Sequence, residues 1–262
     1  MPASVPSRQP RNLDSIVSKI ASIVNPLGNF TIDNPPFFAA AYVSNNDQTG
    51  TMSDSELSRY ATYAGAAYKV NSTSWNCHLN CEQACTAGTV VDLHWSIGTP
   101  ASTGYIAHNP SSKEIFLVYR GSYTVEDWLE DFTFLQVPSP LTVPGSLMHT
   151  GFLFAYSSMD SKVKATLQGL LNAYPDYTLI VTGHSLGAGE AAVAATDFAI
   201  TKPEWIPRMK LITFGQPRVG NIVHAKWLSQ QKFPIFRVVN RGDPVPHVPT
   251  IAMNYYHEAQ QV

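Results

Sequence analysis

A chain of 262 residues has room for one large α/β domain, or at most two small ones. Its 44% hydrophobic and 14% charged content is that of a globular protein with a sizeable core. A formal charge of −2 offers no basic stripe for nucleic acid, and no run approaches the ~18 apolar residues of a membrane span.

Residues Met1 to Pro10 lack the apolar core of a signal peptide, so secretion is not visible at this end. The 19 prolines, the sparse lysines and the sequons Asn29-Phe-Thr and Asn71-Ser-Thr nevertheless point to an exported, glycosylated protein. Pro2, Pro6, Pro10, Pro26, Pro35 and Pro36 punctuate the first stretch, while Ile16, Val17, Ile20, Ile23 and Val24 fall on one helical face. We read residues 1–50 as a leader or pro-segment with a short docking helix, ahead of the main domain over 51–262. Ser53-Asp-Ser-Glu56 is a capping box that opens a helix through Leu57, Tyr60, Ala61 and Ala64.

Cys77, Cys81 and Cys85 follow in a polar loop. Their C-x3-C-x3-C spacing is not a usual zinc pattern, even with His78 as a fourth ligand, and no metal or other cofactor is implied. A local disulfide is expected, with one cysteine left over.

Gly104–His108 and Glu114–Arg120 read as hairpin strands around Asn109-Pro-Ser-Ser. Val125, Trp128, Leu129 and Phe132 then recur at i, i+3, i+4 and i+7, with Glu126, Asp127, Glu130 and Asp131 opposite: an amphipathic helix. One long helix is expected over about 151–173. A strand over 210–214, a helix over about 221–230 and a strand over 235–239 complete the pattern. Strand–helix repetition of this kind argues a mostly parallel sheet with helices on both faces.

The most informative run is Thr178-Leu-Ile-Val-Thr-Gly-His-Ser-Leu-Gly-Ala-Gly-Glu-Ala-Ala-Val-Ala-Ala195. A buried strand turns into an alanine-rich helix within a few residues, with Ser185 at the apex of Gly-x-Ser-x-Gly. Such a turn strains the serine backbone and needs glycine at 183 and 187, where a side chain would meet neighbouring backbone. The strain lifts the hydroxyl above the sheet edge. The Leu186 N–H, at the helix start, then points where an oxyanion would form.

Several motifs together carry a resemblance: Tyr119-Arg-Gly-Ser-Tyr-Thr-Val-Glu-Asp-Trp128, His149-Thr-Gly-Phe152, Pro175-Asp-Tyr177, Gly183-His-Ser-Leu-Gly187, Phe214-Gly-Gln-Pro-Arg-Val-Gly-Asn221 and Val239-Asn-Arg-Gly-Asp-Pro-Val-Pro-His-Val-Pro249. From about Tyr60 onward the chain resembles the secreted fungal class 3 lipases, which have an α/β-hydrolase core and a helical lid. The resemblance implies hydrolysis of acylglycerol esters at a lipid–water interface through an acyl-enzyme, by an extracellular monomer. It makes Ser185 the nucleophile, Asp243 the triad carboxylate, Ser122 and Leu186 the oxyanion donors, and Val125, Trp128, Leu129 and Phe132 the apolar face of the lid. Chain order and the position of Asp243 beyond the last strand agree with that role. A turn aspartate before Pro244 and a helix cap at Ser122 are the plainer readings of those two residues. A feruloyl or other soluble-ester esterase is the alternative enzyme, and the apolar Trp128 and Leu129 favour a lipase over it. A catalytically inactive lipase fold is the third reading.

The pattern fails at the base. Only His247 and His257 follow Asp243. His247 is too near Asp243 in sequence, and His257 matches a family histidine that is not catalytic. The catalytic one lies a few dozen residues farther on, so we expect a lipase truncated at its C-terminus, or a reading frame that ends early. His149 and His184 are expected to pack and hydrogen-bond, His224 to lie on a surface helix, and Glu190 to face a polar edge of the pocket or solvent.

Overall fold

The computed structural model describes residues 40–43, 52–70, 75, 86–98, 101–122, 135–139, 144–240 and 242–259. The helical face expected over 16–24, both sequons, the three cysteines and the expected lid residues Val125, Trp128, Leu129 and Phe132 lie outside them. Seven strands form one mixed sheet: β1 (Ala40–Val43), β2 (Val90–Gly98), β3 (Ala101–Asn109), β4 (Glu114–Tyr119), β7 (Thr178–His184), β8 (Met209–Phe214) and β9 (Ile235–Val239). Their order is β1-β9-β8-β7-β4-β3-β2. β4, β7, β8 and β9 run parallel, β3 pairs antiparallel with β4 and β2 antiparallel with β3 at one side, and β1 pairs antiparallel with β9 at the other. The short strands β5 (Gln136–Pro138) and β6 (Leu147–His149) form a separate two-stranded ribbon. β1 lies within the first fifty residues, so part of that stretch belongs to the sheet.

The strand sequences explain the two layers. In β4, Ile115, Leu117 and Tyr119 face one core and Phe116 and Val118 the other; all are fully buried. Buried runs of this kind are what a sheet covered on both faces requires. Helix α1 (Asp54–Ala66) covers the Phe116 face, and its Tyr63 ring stacks on Phe116 at 3.6 Å. The other face packs against α2 (Thr150–Ser157), α3 (Asp160–Ala173) and α4 (Leu186–Thr201).

The predicted capping box is present in full. Ser53 accepts the Glu56 N–H and Glu56 accepts the Ser53 N–H. Ser53→Ala should cost about 1 kcal/mol, lowering the melting temperature by a few degrees in a thermal unfolding scan. At the same helix Arg59 and Tyr60 both bond the buried Glu114 at the start of β4, tying α1 to the sheet.

The single long helix expected over 151–173 is instead two, α2 and α3. The Ser157 and Ser158 hydroxyls donate back to the Leu153 and Ala155 carbonyls at 2.7 Å each. The Ser158 N–H is shared between the Phe154 and Ala155 carbonyls, so the ladder tightens and stops. Met159 leaves the helical region at φ −129°, and α3 starts after it. Helix α5 (Ile222–Ser229), capped by Asn221, follows β8. His224 is not on its solvent face as expected. It is fully buried, with Nε2 3.1 Å from Thr196 Oγ1, and burial lowers its pKa to about 4. No helix among the described residues is long and apolar enough to cross a membrane.

Candidate active site

The carboxyl ends of β4, β7, β8 and β9 converge, which is where open α/β sheets place their ligands. β7 passes into α4 through Ser185 alone, at φ 57° and ψ −126°. A non-glycine residue at positive φ costs of order 1–3 kcal/mol, so the surroundings must hold it there. They do so by backbone: the Ser185 N–H donates to the Phe214 carbonyl at the end of β8, 2.9 Å away. The crossing is too close for side chains. A Cβ on Gly183 would lie 2.4 Å from the Gly187 carbonyl oxygen, and one on Gly187 would lie 2.3 Å from that of Tyr119.

Gly121 brings the segment after β4 against this turn. Its Cβ position is 3.1 Å from Ser185 Cβ and 2.6 Å from the His184 carbonyl. Ser122, partly buried, follows directly. The Arg120 N–H donates to the Thr103 carbonyl at 2.8 Å, so β3 holds this segment in place. Leu186 is the first residue of α4, and a first-turn N–H has no acceptor within its own helix. The segment through Gly121 and Ser122 and the start of α4 at Leu186 thus both adjoin Ser185.

Asp243 sits on the loop after β9. Its Oδ1 accepts the Val245 N–H at 2.9 Å, and its Oδ2 lies where a Cβ on Gly215 would be only 2.7 Å away. Gly215, at φ 56°, continues directly from β8, whose last carbonyl holds Ser185. The sheet thus brings Asp243 and Ser185 to one end. Burial raises the Asp243 pKa, against the Val245 N–H and the nearby His247, which lower it.

Neither later histidine completes a triad. His247 is exposed. His257 Nε2 is 2.7 Å from the Pro246 carbonyl, which can only accept, so that nitrogen carries the proton. Its Nδ1 is buried without a hydrogen-bond partner, and burial holds the ring well below the usual histidine range. Among the described residues no histidine hydrogen-bonds Ser185 or Asp243. His184 is held by the Tyr68 hydroxyl at Nδ1, 2.9 Å, and its pKa falls to about 4 through desolvation. His149 accepts the Gly151 and Phe152 N–H groups as the cap of α2. Both act as packing and hydrogen-bonding residues.

Glu190 departs from expectation. It faces neither solvent nor a polar edge but is fully buried on α4, where Ser102 Oγ donates to its Oε2 at 2.8 Å. The alanine-rich pattern of this helix gives no sign of a partner 88 positions away. Tyr68 and Gly215 also escaped the sequence reading, because their contacts with the site form only through the tertiary fold.

The family described as "Lipase (class 3)" matches residues 116–253, more than half of the chain. The chain belongs to the class 3 lipase family. A "Lipase" of Rhizomucor miehei is 32% identical over 211 residues, 79% of this chain and 57% of the relative. A "Secreted mono- and diacylglycerol lipase 1" of Fusarium solani is 34% identical over 224 residues, 80% of this chain and 64% of the relative. The chain thus spans about three fifths of the length of these curated relatives. Among solved structures, a triacylglycerol lipase described as having a serine-protease triad at its catalytic centre superposes with a TM-score of 0.72. It is 30% identical, over 79% of each chain. The class 3 lipase core here is accordingly an α/β-hydrolase fold.

Proposed function

We propose that this class 3 lipase is a carboxylic ester hydrolase for acylglycerols, with Ser185 as nucleophile. The observation that carries this is the Ser185 turn, held at positive φ by backbone contacts between β7, α4 and β8. Ser185 Oγ attacks the ester carbonyl, the tetrahedral oxyanion is held by the Leu186 and Ser122 N–H groups, the alcohol leaves, and water releases the fatty acid. Asp243 is the carboxylate that would orient an imidazole and stabilise it when charged. The acylglycerol substrate and an extracellular location are supported by the names of the relatives, and a monomer by the family resemblance. The segment 124–135 is proposed as the lid on its amphipathic pattern, and residues 1–50 as a pro-segment on their proline punctuation.

Prolonged incubation with an alkyl fluorophosphonate should label the protein once, slowly because no imidazole among the described residues activates the serine, and peptide mass spectrometry should place the adduct on Ser185. Undiminished labelling of Ser185→Ala would sink the assignment.

A further inference from the structure

The two oxyanion donors stand on separate elements: Leu186 opens α4, whereas Ser122 follows β4 and is held by β3 through the Arg120 N–H. Something must fix the spacing between them. Glu190 is on the same face of α4 as Leu186, one turn on. Its carboxyl reaches across to Ser102 on β3, the residue next to Thr103, whose carbonyl holds Arg120. Ser102 Oγ is itself fixed by the Trp95 indole N–H, 3.1 Å away on β2. Trp95 in turn packs edge-on against Tyr119, the last residue of β4, at 5.5 Å. The chain of contacts runs from one donor element to the other.

We propose that Glu190 is a positioning residue: through Ser102 it sets the distance between the Leu186 and Ser122 N–H groups. This rests on the reading of those residues as the oxyanion hole.

The surroundings suit the acid form. Glu190 and Tyr119 are both fully buried, and the Glu190 Oε1 and the Tyr119 hydroxyl lack hydrogen-bond partners. A carboxylate there would be uncompensated. The Ser102 hydrogen bond and the charge of Arg120, two residues before Ser122, act on Glu190 to lower its pKa. Asp197, farther along α4, is bonded by Lys164 of α3 and acts on Tyr119. Burial outweighs Arg120 and Ser102 and raises the Glu190 carboxyl to about 8. In the unfolded chain it ionises near 4.5, so the folded state holds one more proton between about 4.5 and 8. Stability from this group is therefore full below pH 4.5, falls as pH rises to about 8, and then levels.

The experiment compares the parent chain with Glu190→Gln and Glu190→Leu. The probe is an alkylphosphonate p-nitrophenyl ester, from which Ser185 Oγ displaces p-nitrophenolate in a single turnover. The rate constant kinact reports the oxyanion geometry, while KI reports binding. Glu190→Leu should lower kinact by about tenfold or more at unchanged KI. Glu190→Gln, neutral at every pH, should match the parent at pH 7. At pH 9 the ratio of parent to Gln kinact should have dropped by about tenfold, because ionisation removes the parent's neutral acid. Its melting temperature should also escape a fall of on the order of 10 °C that the parent shows, relative to it, between pH 5 and 8.

A Leu variant that melts normally and reacts at the parent rate overturns the proposal, as does a parent-to-Gln ratio that is flat with pH. If the Leu variant does not fold, the Gln ratio decides. Absence of any Ser185 adduct in the parent removes the hydrolase reading itself, and the proposal with it; an adduct with unaltered Glu190 variants removes the proposal alone.

Discussion

Replacing Gly187 by alanine is expected to unfold or severely destabilise the protein, although alanine is the better helix former by about 1 kcal/mol. The added methyl would stand 2.3 Å from the Tyr119 carbonyl oxygen and 2.7 Å from the Arg120 carbonyl carbon. These are backbone atoms of β4 and its extension, held by β7 on one side and β3 on the other. They cannot swing away as a flexible side chain would. Relief requires α4 to lift off the sheet, opening a core lined by Ala191, Ala195 and Phe198. The clash therefore outweighs the helical gain, with a net loss of about 3 kcal/mol or more. A thermal scan should show a melting point lower by on the order of 10 °C, or no cooperative transition. Gly169, whose Cβ position in α3 is open, is the control: Gly169→Ala should be neutral or stabilising. Equal melting points for Gly187→Ala and the parent would show that the strand–helix crossing is looser than described.

Turnover of the 262-residue chain on p-nitrophenyl butyrate is expected to be slow, retaining ~10³–10⁴-fold acceleration over water. The argument is the geometry of the histidines. A serine hydroxyl needs an imidazole nitrogen with a free lone pair aimed at it, and His257 spends its N–H on the Pro246 carbonyl while its other nitrogen is enclosed. Substituting His257 by alanine should leave the residual rate within about twofold, once a melting scan shows that the variant still folds, because the proposed oxyanion donors would carry what catalysis remains. A Ser185→Ala variant should keep a similar residual rate, because a serine without a base adds little to it. Full lipase-like turnover that vanishes in His257→Ala would make His257 the base and require the loop from Pro244 to Tyr255 to rearrange on substrate binding.

The parts legible in the sequence are those whose cause is local. Gly183, Ser185 and Gly187 announce a tight strand-to-helix turn, because the backbone needs small residues at fixed offsets. Ser53 and Glu56 announce a helix start for the same kind of reason, and β9 could be bounded to the residue. The signal for β2 is local in the same way: Val91, Leu93, Trp95 and Ile97 alternate with polar residues at period 2. The break at Ser157 and Ser158 is not legible, since it depends on hydroxyls choosing backbone carbonyls over solvent. Glu190 and His224 were misplaced on one principle. Polar residues on helices face water by default, and both are buried against partners that the sequence cannot locate, Ser102 and Thr196.

The strand β1 has a bearing on handling the protein. By pairing antiparallel with β9 it occupies the hydrogen-bonding edge of the sheet next to the Asp243 loop. A chain begun after Val43, the natural choice for anyone trimming a pro-segment at residue 50, would leave the five-residue β9 with bare N–H and C=O groups on that side. Unpaired edges of this kind recruit strands from other molecules. Trimmed protein should therefore self-associate where chain starting before Ala40 stays dispersed, and light scattering of the two preparations at matched concentration would show it.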